Sequence, residues 1–371
     1  MYSISELASV AARLRRLIQA ATSGSLGELP VFNQLALELF ALQFKHNAPY
    51  RRLCEARDAR PDTVTHWTGI PAAPTSAFKE FELSCLPVTE RMAVFHSSGT
   101  TGQRPSRHFH NAASLALYEA SLLAWFEAHF PMANGKWRMA ILTPPRSDAP
   151  HSSLVHMFET IRRRLGPGAS SFLGRAAEDG TWAVYLGAVI ESLRAASAVR
   201  EPLLVLGTAF SFVHLLDYLA TRNLRFELPP GSCAFETGGY KGRSRSLPKS
   251  ALHTLISQRL GISTDHIICE YGMSELGSQA YDSAAGPSRI THHVSRTFHF
   301  PPWARVQVIS PETGREVGEG ETGLIRVFDL ANVYSVMAIQ TEDLGTRRGN
   351  GFALAGRAVR AAPRGCSLMA V

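Results

Sequence analysis

The sequence has 371 residues, enough for two domains of about 150 residues or one large domain with subdomains. Hydrophobic residues make up 45% and charged residues 19%, a globular mix that excludes a disordered or fibrous chain. The net charge of +7 comes mostly from scattered arginines; it suits an anionic ligand, and without a basic run interleaved with aromatics it does not point to nucleic acid.

The first 60 residues read as a helical segment. Ile4, Leu7, Val10, Ala11, Leu14, Leu17 and Ile18 form one apolar stripe, with Arg13, Arg15 and Arg16 off it. That pattern is an amphipathic helix and not a signal peptide. A second helix is predicted from about Pro30 to Lys45, where proline at the first position loses no hydrogen bond.

From 61 to 300 short β-type runs alternate with helical stretches. The runs are Trp137–Thr143, Pro202–Gly207, Cys233–Thr237 and His266–Glu270. The helical stretches are Ala112–Phe130, Ser152–Leu165, Val184–Val199, Phe210–Thr221 and Pro248–Leu260. This alternation predicts an α/β core with mostly parallel strands flanked by helices. Thr143–Ser153 and Gly166–Ser171 read as loops. Leu203–Leu216 is an apolar stretch of about 14 residues, short of the roughly 20 that span a bilayer, so no membrane span is expected.

Residues 301–371 change character. Arg305–Ile309 and Gly323–Phe328 flank the turn Pro311-Glu312-Thr313-Gly314, and Val333–Gln340 and Gly351–Ala355 add two more predicted strands. The expectation is a smaller antiparallel β region followed by a tail.

Five cysteines, Cys54, Cys85, Cys233, Cys269 and Cys366, are widely spaced and odd in number, with no CxxC pair. This spacing predicts neither a structural zinc site nor a disulfide framework, and a reducing cytoplasm is expected. Cys233 and Cys269, on predicted strands, read as core residues, as do Cys54 and Cys85.

Three local patterns carry chemistry. In His96-Ser97-Ser98-Gly99-Thr100-Thr101-Gly102, glycines let backbone N–H groups approach an anion, and hydroxyls add donors. The run lacks the Gly-Lys ending of a Walker A loop, and alone it also reads as a polar surface loop. In Glu270-Tyr271-Gly272-Met273-Ser274-Glu275, Glu275 is a candidate Mg²⁺ ligand and Tyr271 a candidate base-stacking ring. In Thr341-Glu342-Asp343-Leu344-Gly345, followed by Gly356-Arg357, Asp343 at a strand end suits ribose hydroxyls and Arg357 ribose or phosphate. Taken singly, the last two also read as ordinary turns. His108 and His110 share one face of an extended strand and read as polar contacts near the first loop. His96 precedes that loop. The adjacent His292 and His293 point to opposite sides, so no metal pair is expected.

Together and in this order, Ser97–Gly102, Tyr271–Glu275 and Thr341–Gly345 with Gly356-Arg357 resemble the nucleotide-binding motifs of the adenylate-forming superfamily. That group holds acyl-CoA synthetases, firefly-type luciferases and peptide-synthetase adenylation domains. Glu236-Thr237-Gly238-Gly239-Tyr240-Lys241-Gly242 sits where that family has its adenine-binding strand and loop. The chain is more closely similar to the short LuxE-type acyl-protein synthetases, which share the Ser-Ser-Gly-Thr-Thr-Gly loop and a C-terminal segment like Gly365-Cys366-Ser367-Leu368.

The resemblance implies the N-terminal-domain fold of an adenylate-forming enzyme and two chemical steps. A carboxylic acid is activated by ATP with Mg²⁺ as acyl-AMP, and the acyl group then passes to a thiol. Catalytic roles fall on Thr100, Glu275 and Cys366. Nucleotide binding falls on Ser97, Ser98, Gly99, Thr101, Gly102, Gly238, Gly239, Tyr240, Tyr271, Gly272, Ser274, Asp343 and Arg357. Glu275 holds the metal. Cys366 accepts the acyl group and hands it to a partner such as a reductase or carrier protein. The tail from Arg357 to Cys366 reaches at most about 30 Å, and Arg364 favours the thiolate.

The chain departs from the longer relatives in two ways. Its last lysine is Lys249, so the usual lysine-bearing C-terminal domain is not expected. The loop also continues Gln103-Arg104-Pro105-Ser106 in place of Gly-x-Pro-Lys. Two alternatives stay open: a ligase passing acyl-AMP to coenzyme A, a carrier protein or an amine, and a non-catalytic nucleotide-binding subunit. Fatty and aromatic acids are both open as substrates.

Overall fold

Helix α1 (Ile4–Ala21) buries Leu7, Val10, Ala11, Leu14 and Ile18, the stripe its spacing predicts, and packs along the later helix Ala112–His129. The computed structural model describes residues 4–21, 31–97, 104–130, 137–166, 170–178, 181–238, 247–282 and 296–358. Helix α2 (Phe32–His46) follows, then α3 (Ala48–Glu55), whose first turn is capped by Asn47 accepting from Tyr50 N–H. The buried Gln43 of α2 donates to the Asn332 carbonyl and accepts from Met337 N–H, which ties this segment to the other end of the chain.

Strand β1 (Ala73–Pro74) and the short helix α4 (Ala77–Glu80) lead to a hairpin of β2 (Ala93–His96) and β3 (Arg107–His110). Helix α5 (Ala112–His129) starts at a reciprocal cap between Asn111 and Ser114. The α/β core continues with β4 (Arg138–Ile141), α6 (Ser153–Leu165), β5 (Ser170–Phe172), the hairpin β6 (Gly174–Ala176) and β7 (Trp182–Val184), and α7 (Leu186–Val199). Next come β8 (Leu203–Thr208), α8 (Ala209–Thr221), β9 (Cys233–Thr237), α9 (Lys249–Leu260), β10 (Ile267–Tyr271) and β11 (Ala280–Tyr281).

The main sheet runs β11-β10-β9-β8-β4-β5 and is parallel except for β11. Strands β8, β9 and β10 are buried throughout, which explains their nearly continuous apolar sequences. Leu203, Val205 and Ala234 pack with residues of α7, α8 and α9; Leu204, Leu206 and Phe235 pack with those of α5 and α6. Phe235 meets the rings of Phe126, Phe130, Phe158 and Tyr281, and burying it contributes about 1.5–3 kcal/mol.

The second sheet contains β12 (Ala304–Ile309), β13 (Thr322–Asp329), β14 (Ala338–Arg348) and β15 (Gly351–Arg357), all antiparallel, with β1 added parallel to β14. The predicted Pro311–Gly314 turn is present, and Gly314 takes φ +68°, a backbone region that glycine enters without strain.

Several boundaries differ from the sequence reading. Val333–Met337 is not strand; it is a buried turn whose backbone is held by Asn332 Nδ2 on the Val336 carbonyl and by Gln43 Oε1 on Met337 N–H. Its apolar character comes from burial and not from pleating. Strand β14 starts at Ala338 and runs through Thr341–Gly345, so Asp343 lies within a strand and not at its end. A register shift places Leu344 opposite Gly356 and Gly345 opposite Leu354, leaving Ala355 as the extra residue of a bulge. Ser170–Phe172, overlapping the end of the predicted Gly166–Ser171 loop, is an edge strand, and the helix read from Val184 starts at Leu186 because Trp182–Val184 pairs as a strand. Among the described residues no helix is long and apolar enough to cross a membrane.

Candidate active site

From β4 the chain winds outward to β5, then returns to the other side of β4 for β8, β9 and β10. Ligands of open parallel sheets lie at the carboxyl ends of the strands near such a reversal. Thr237 ends β9 and is followed by Gly238 at φ +70°; Tyr271 ends β10 and is followed by Gly272–Glu275.

The Ser97–Gly102 motif lies between β2 and β3 in the chain. Ser97 and Ser106 close its base: Ser106 N–H donates to Ser97 Oγ at 3.0 Å, and Ser97 N–H points at the Ser106 carbonyl at 3.4 Å. Ser98, Gly99, Thr100, Thr101 and Gly102 lie outside the described residues. Ser106 Oγ stands 3.4 Å from Ser274 Oγ, and Ser274 Oγ donates to Glu275 Oε2 at 3.0 Å. His108 Nδ1 meets the Ser274 carbonyl at 2.7 Å, so that nitrogen carries the hydrogen. Burial holds the His108 ring neutral, with its pKa pushed down to about 4.

Glu275 is itself buried, and burial raises its carboxyl; the hydroxyls of Ser106 and Ser274 and the charge of Lys79 work the other way. Its backbone is fixed by Asn332 Nδ2 on the Glu275 carbonyl at 2.7 Å. Asp329 fixes the next turn by accepting from Gly277 N–H and Ser278 Oγ. A buried carboxylate among hydroxyl oxygens is the hard donor set that Mg²⁺ prefers, so these residues fit that ion.

On the other side of the same segment, the Tyr271 hydroxyl donates to Asp343 Oδ2 at 3.0 Å. Burial raises the phenol, which keeps its proton, and burial also raises Asp343, offset by Tyr271 and Arg357. Arg357 pairs with Asp343 in register across β14 and β15, with Nε 3.6 Å from Asp343 Oδ1 and Nη2 3.8 Å from Glu342 Oε2. Its side chain is 74% exposed, so the guanidinium is available to an anion. The Tyr271 ring packs edge-on against Phe298, Phe300 and Phe352 and is 7% exposed. What it gives the site in this arrangement is a hydroxyl that positions Asp343.

Two charged strand residues open motifs quoted from the sequence but carry no assigned role there. Glu270 is buried, accepts from Thr237 Oγ1, and has its carboxyl pushed up to about 7, chiefly by burial. Gly272 must be small here, because a Cβ would run into Glu270 Oε1. Glu236, one strand over, is also buried and is paired with Lys249. A lone carboxylate in an otherwise apolar strand was the available signal.

The fold thus gathers Ser97, Ser274 and Glu275 through Ser106, and Tyr271, Asp343 and Arg357 on the far side of the same segment. Thr237 bonding to Glu270 links Gly238 and its strand to them. Gly239, Tyr240 and Cys366 lie outside the described residues, while Cys54, Cys85, Cys233 and Cys269 are buried and form no disulfide with one another.

The family model described as acyl-protein synthetase, LuxE, matches residues 25–370. The long-chain-fatty-acid–luciferin-component ligase of Aliivibrio fischeri is 22% identical over 326 residues, covering 84% of this chain and 78% of that protein. The ligase of the same name from Photorhabdus luminescens is 38% identical over 69 residues, 19% of this chain and 59% of that one. Among solved structures, an open conformation of 2-hydroxyisobutyryl-CoA ligase in complex with 2-HIB-AMP and CoA superposes with a TM-score of 0.62 at 14% identity, covering 94% of this chain and 69% of that one. That likeness shows the shared fold.

Proposed function

This chain belongs to the LuxE acyl-protein synthetase family, an ATP-dependent, acid-activating class of enzyme, and from that premise we propose how its own residues divide the work. The reading rests on one observation above all. The single segment Tyr271–Glu275 reaches the base of the phosphate loop through Ser274 and Ser106, and reaches Asp343 through Tyr271.

In the first step a substrate carboxylate oxygen attacks the α-phosphorus of ATP. A P–O bond to the acid forms, and pyrophosphate leaves. Ser97, Ser98, Gly99, Thr100, Thr101 and Gly102 cradle the phosphates, with Thr100 and Ser274 placing donors where charge develops. Glu275 would hold Mg²⁺, which when bound neutralises phosphate charge. Asp343 receives the ribose hydroxyls, and Arg357 contacts ribose or phosphate. Gly238, Gly239, Tyr240 and Gly272 contact the nucleotide, the first three on its adenine side.

In the second step the Cys366 thiolate attacks the acyl carbonyl. A thioester forms, and AMP leaves. The acyl group then passes to a partner protein, a reductase or acyl carrier. A reducing cytoplasm suits this chemistry. The curated relatives are named for long-chain fatty acids and a luciferin component, which puts long-chain acids first among the substrates to try.

The test of the activation step is acid-dependent exchange of labelled pyrophosphate into ATP, run over fatty and aromatic acids. Exchange with at least one acid supports the reading. Nucleotide binding without exchange across the panel contradicts it.

A further inference from the structure

On the α9 side of the parallel sheet, Glu236, His253 and Cys269 bring three different metal-binding groups together. Cys269 Sγ is 3.0 Å from Glu236 Oε2 and 3.3 Å from His253 Nε2, and His253 Nε2 is 3.8 Å from Glu236 Oε2. Tetrahedral zinc, with bonds of about 2.3 Å to sulfur and about 2.0–2.2 Å to nitrogen and oxygen, spaces its ligand atoms about 3.3–3.6 Å apart. Each edge of the triangle therefore lies within about half an ångström of the tetrahedral spacing. We propose that Glu236, His253 and Cys269 form a zinc-binding site.

Rigid elements hold the three groups. Glu236 and Cys269 are register partners on the adjacent parallel strands β9 and β10, and His253 comes from the helix packed over them. All three are buried, so the donors are screened from competing solvent. They are far apart in the chain and follow none of the short spacings that announce zinc sites, which is why the sequence did not predict one.

The place already requires positive charge. Lys249 Nζ contacts both Glu236 oxygens, at 2.6 and 2.5 Å, reaching in from the surface with 39% of its side chain exposed. When zinc binds, the Cys269 thiol gives its proton to solvent and a Zn–S bond forms. Imidazole and carboxylate supply the other two bonds. The Lys249 ammonium withdraws outward, and a water takes the fourth position on that side. The two negative ligands then cancel the charge of the ion, which keeps the buried site neutral. The metal would tie β9, β10 and α9 together directly beneath Thr237 and Gly238.

The test is a cobalt(II) titration of the full-length wild-type chain in excess magnesium, followed by displacement with zinc. The expected result is a thiolate-to-cobalt charge-transfer band that saturates at one equivalent and disappears on adding zinc. Cys269→Ser should abolish the band and weaken zinc binding by at least about a hundredfold; His253→Gln should weaken it similarly. The wild-type titration needs no variant to fold. No charge-transfer band in the wild type, or a band of full intensity in Cys269→Ser, overturns the proposal. Neither result bears on acid activation, which is read by pyrophosphate exchange.

Discussion

Tyr271 and Asp343 are 72 positions apart in the sequence, yet the tyrosine hydroxyl donates to the aspartate at 3.0 Å, joining the end of the parallel sheet to the antiparallel one. A hydrogen bond to a charged group contributes about 1.5–3 kcal/mol, and this one is partly buried. Tyr271→Phe should therefore raise the KM for ATP roughly tenfold or more while changing kcat less, because Asp343 loses its orientation and not its identity. Steady-state kinetics with varied ATP reads the split. An unchanged KM would mean that Asp343 does not contact the nucleotide.

Glu275→Gln keeps the size of the side chain and its bond to Ser274 and removes the charge. Acid-dependent pyrophosphate exchange should fall by about a hundredfold or more, and the concentration of Mg²⁺ needed for half-maximal rate should rise. A variant with unchanged magnesium dependence would take the metal away from this residue.

The buried carboxyl of Glu270 makes stability depend on pH with a definite sign. Its ordinary value is 4.5, and burial lifts it to about 7. Below the ordinary value the folded and unfolded chains both hold the proton. Between 4.5 and about 7 only the folded chain keeps it, so stability falls as pH rises through this window, by at most about 3 kcal/mol. His108 acts in the opposite direction: its ring is held neutral with a pKa near 4, against 6.5 ordinarily, so its contribution is present above 6.5 and is lost as pH falls toward 4. The two windows overlap, so the contributions oppose each other between about 4.5 and 6.5, and Glu270→Gln should make stability rise more steeply with pH across that range than in the wild type. Thermal melts from pH 4 to 9 check it.

Gly272→Ala places a Cβ against Glu270 Oε1, which Thr237 holds in position. The expected cost is about 1–2 kcal/mol of stability together with weaker ATP binding. Adding Glu270→Ala should recover the part of that loss that comes from the collision. Urea denaturation of the two single variants and the double variant measures the coupling. Strictly additive effects would remove the collision from the account.

The α/β core was legible because β8 and β9 read as short, mostly apolar runs between helical stretches, and the Pro311–Gly314 turn announced the antiparallel hairpin. The buried turn at Val333–Met337 was not legible. Its apolar sequence looks like a strand, and the groups that satisfy its backbone, Gln43 and Asn332, are partly hundreds of positions away. Asp343 reads as a strand-end residue in the sequence but lies within β14, because the extent of that strand and its bulge against β15 depend on pairing that periodicity does not carry. The motif at Tyr271–Glu275 was visible, whereas its contact with Ser106, 168 positions away, exists only in the fold. The pairings of Glu236 and Glu270 were not legible for a related reason, since one charge in an apolar strand gives no sign of the partner it meets.

The most direct test of self-acylation is intact mass after incubation with ATP, Mg²⁺ and a panel of carboxylic acids, for the wild type and Cys366→Ala. The account predicts a gain equal to one acyl group in the wild type, reversed by hydroxylamine and lost in the variant. Pyrophosphate release with no mass gain in the wild type, or the same gain in Cys366→Ala, would contradict it.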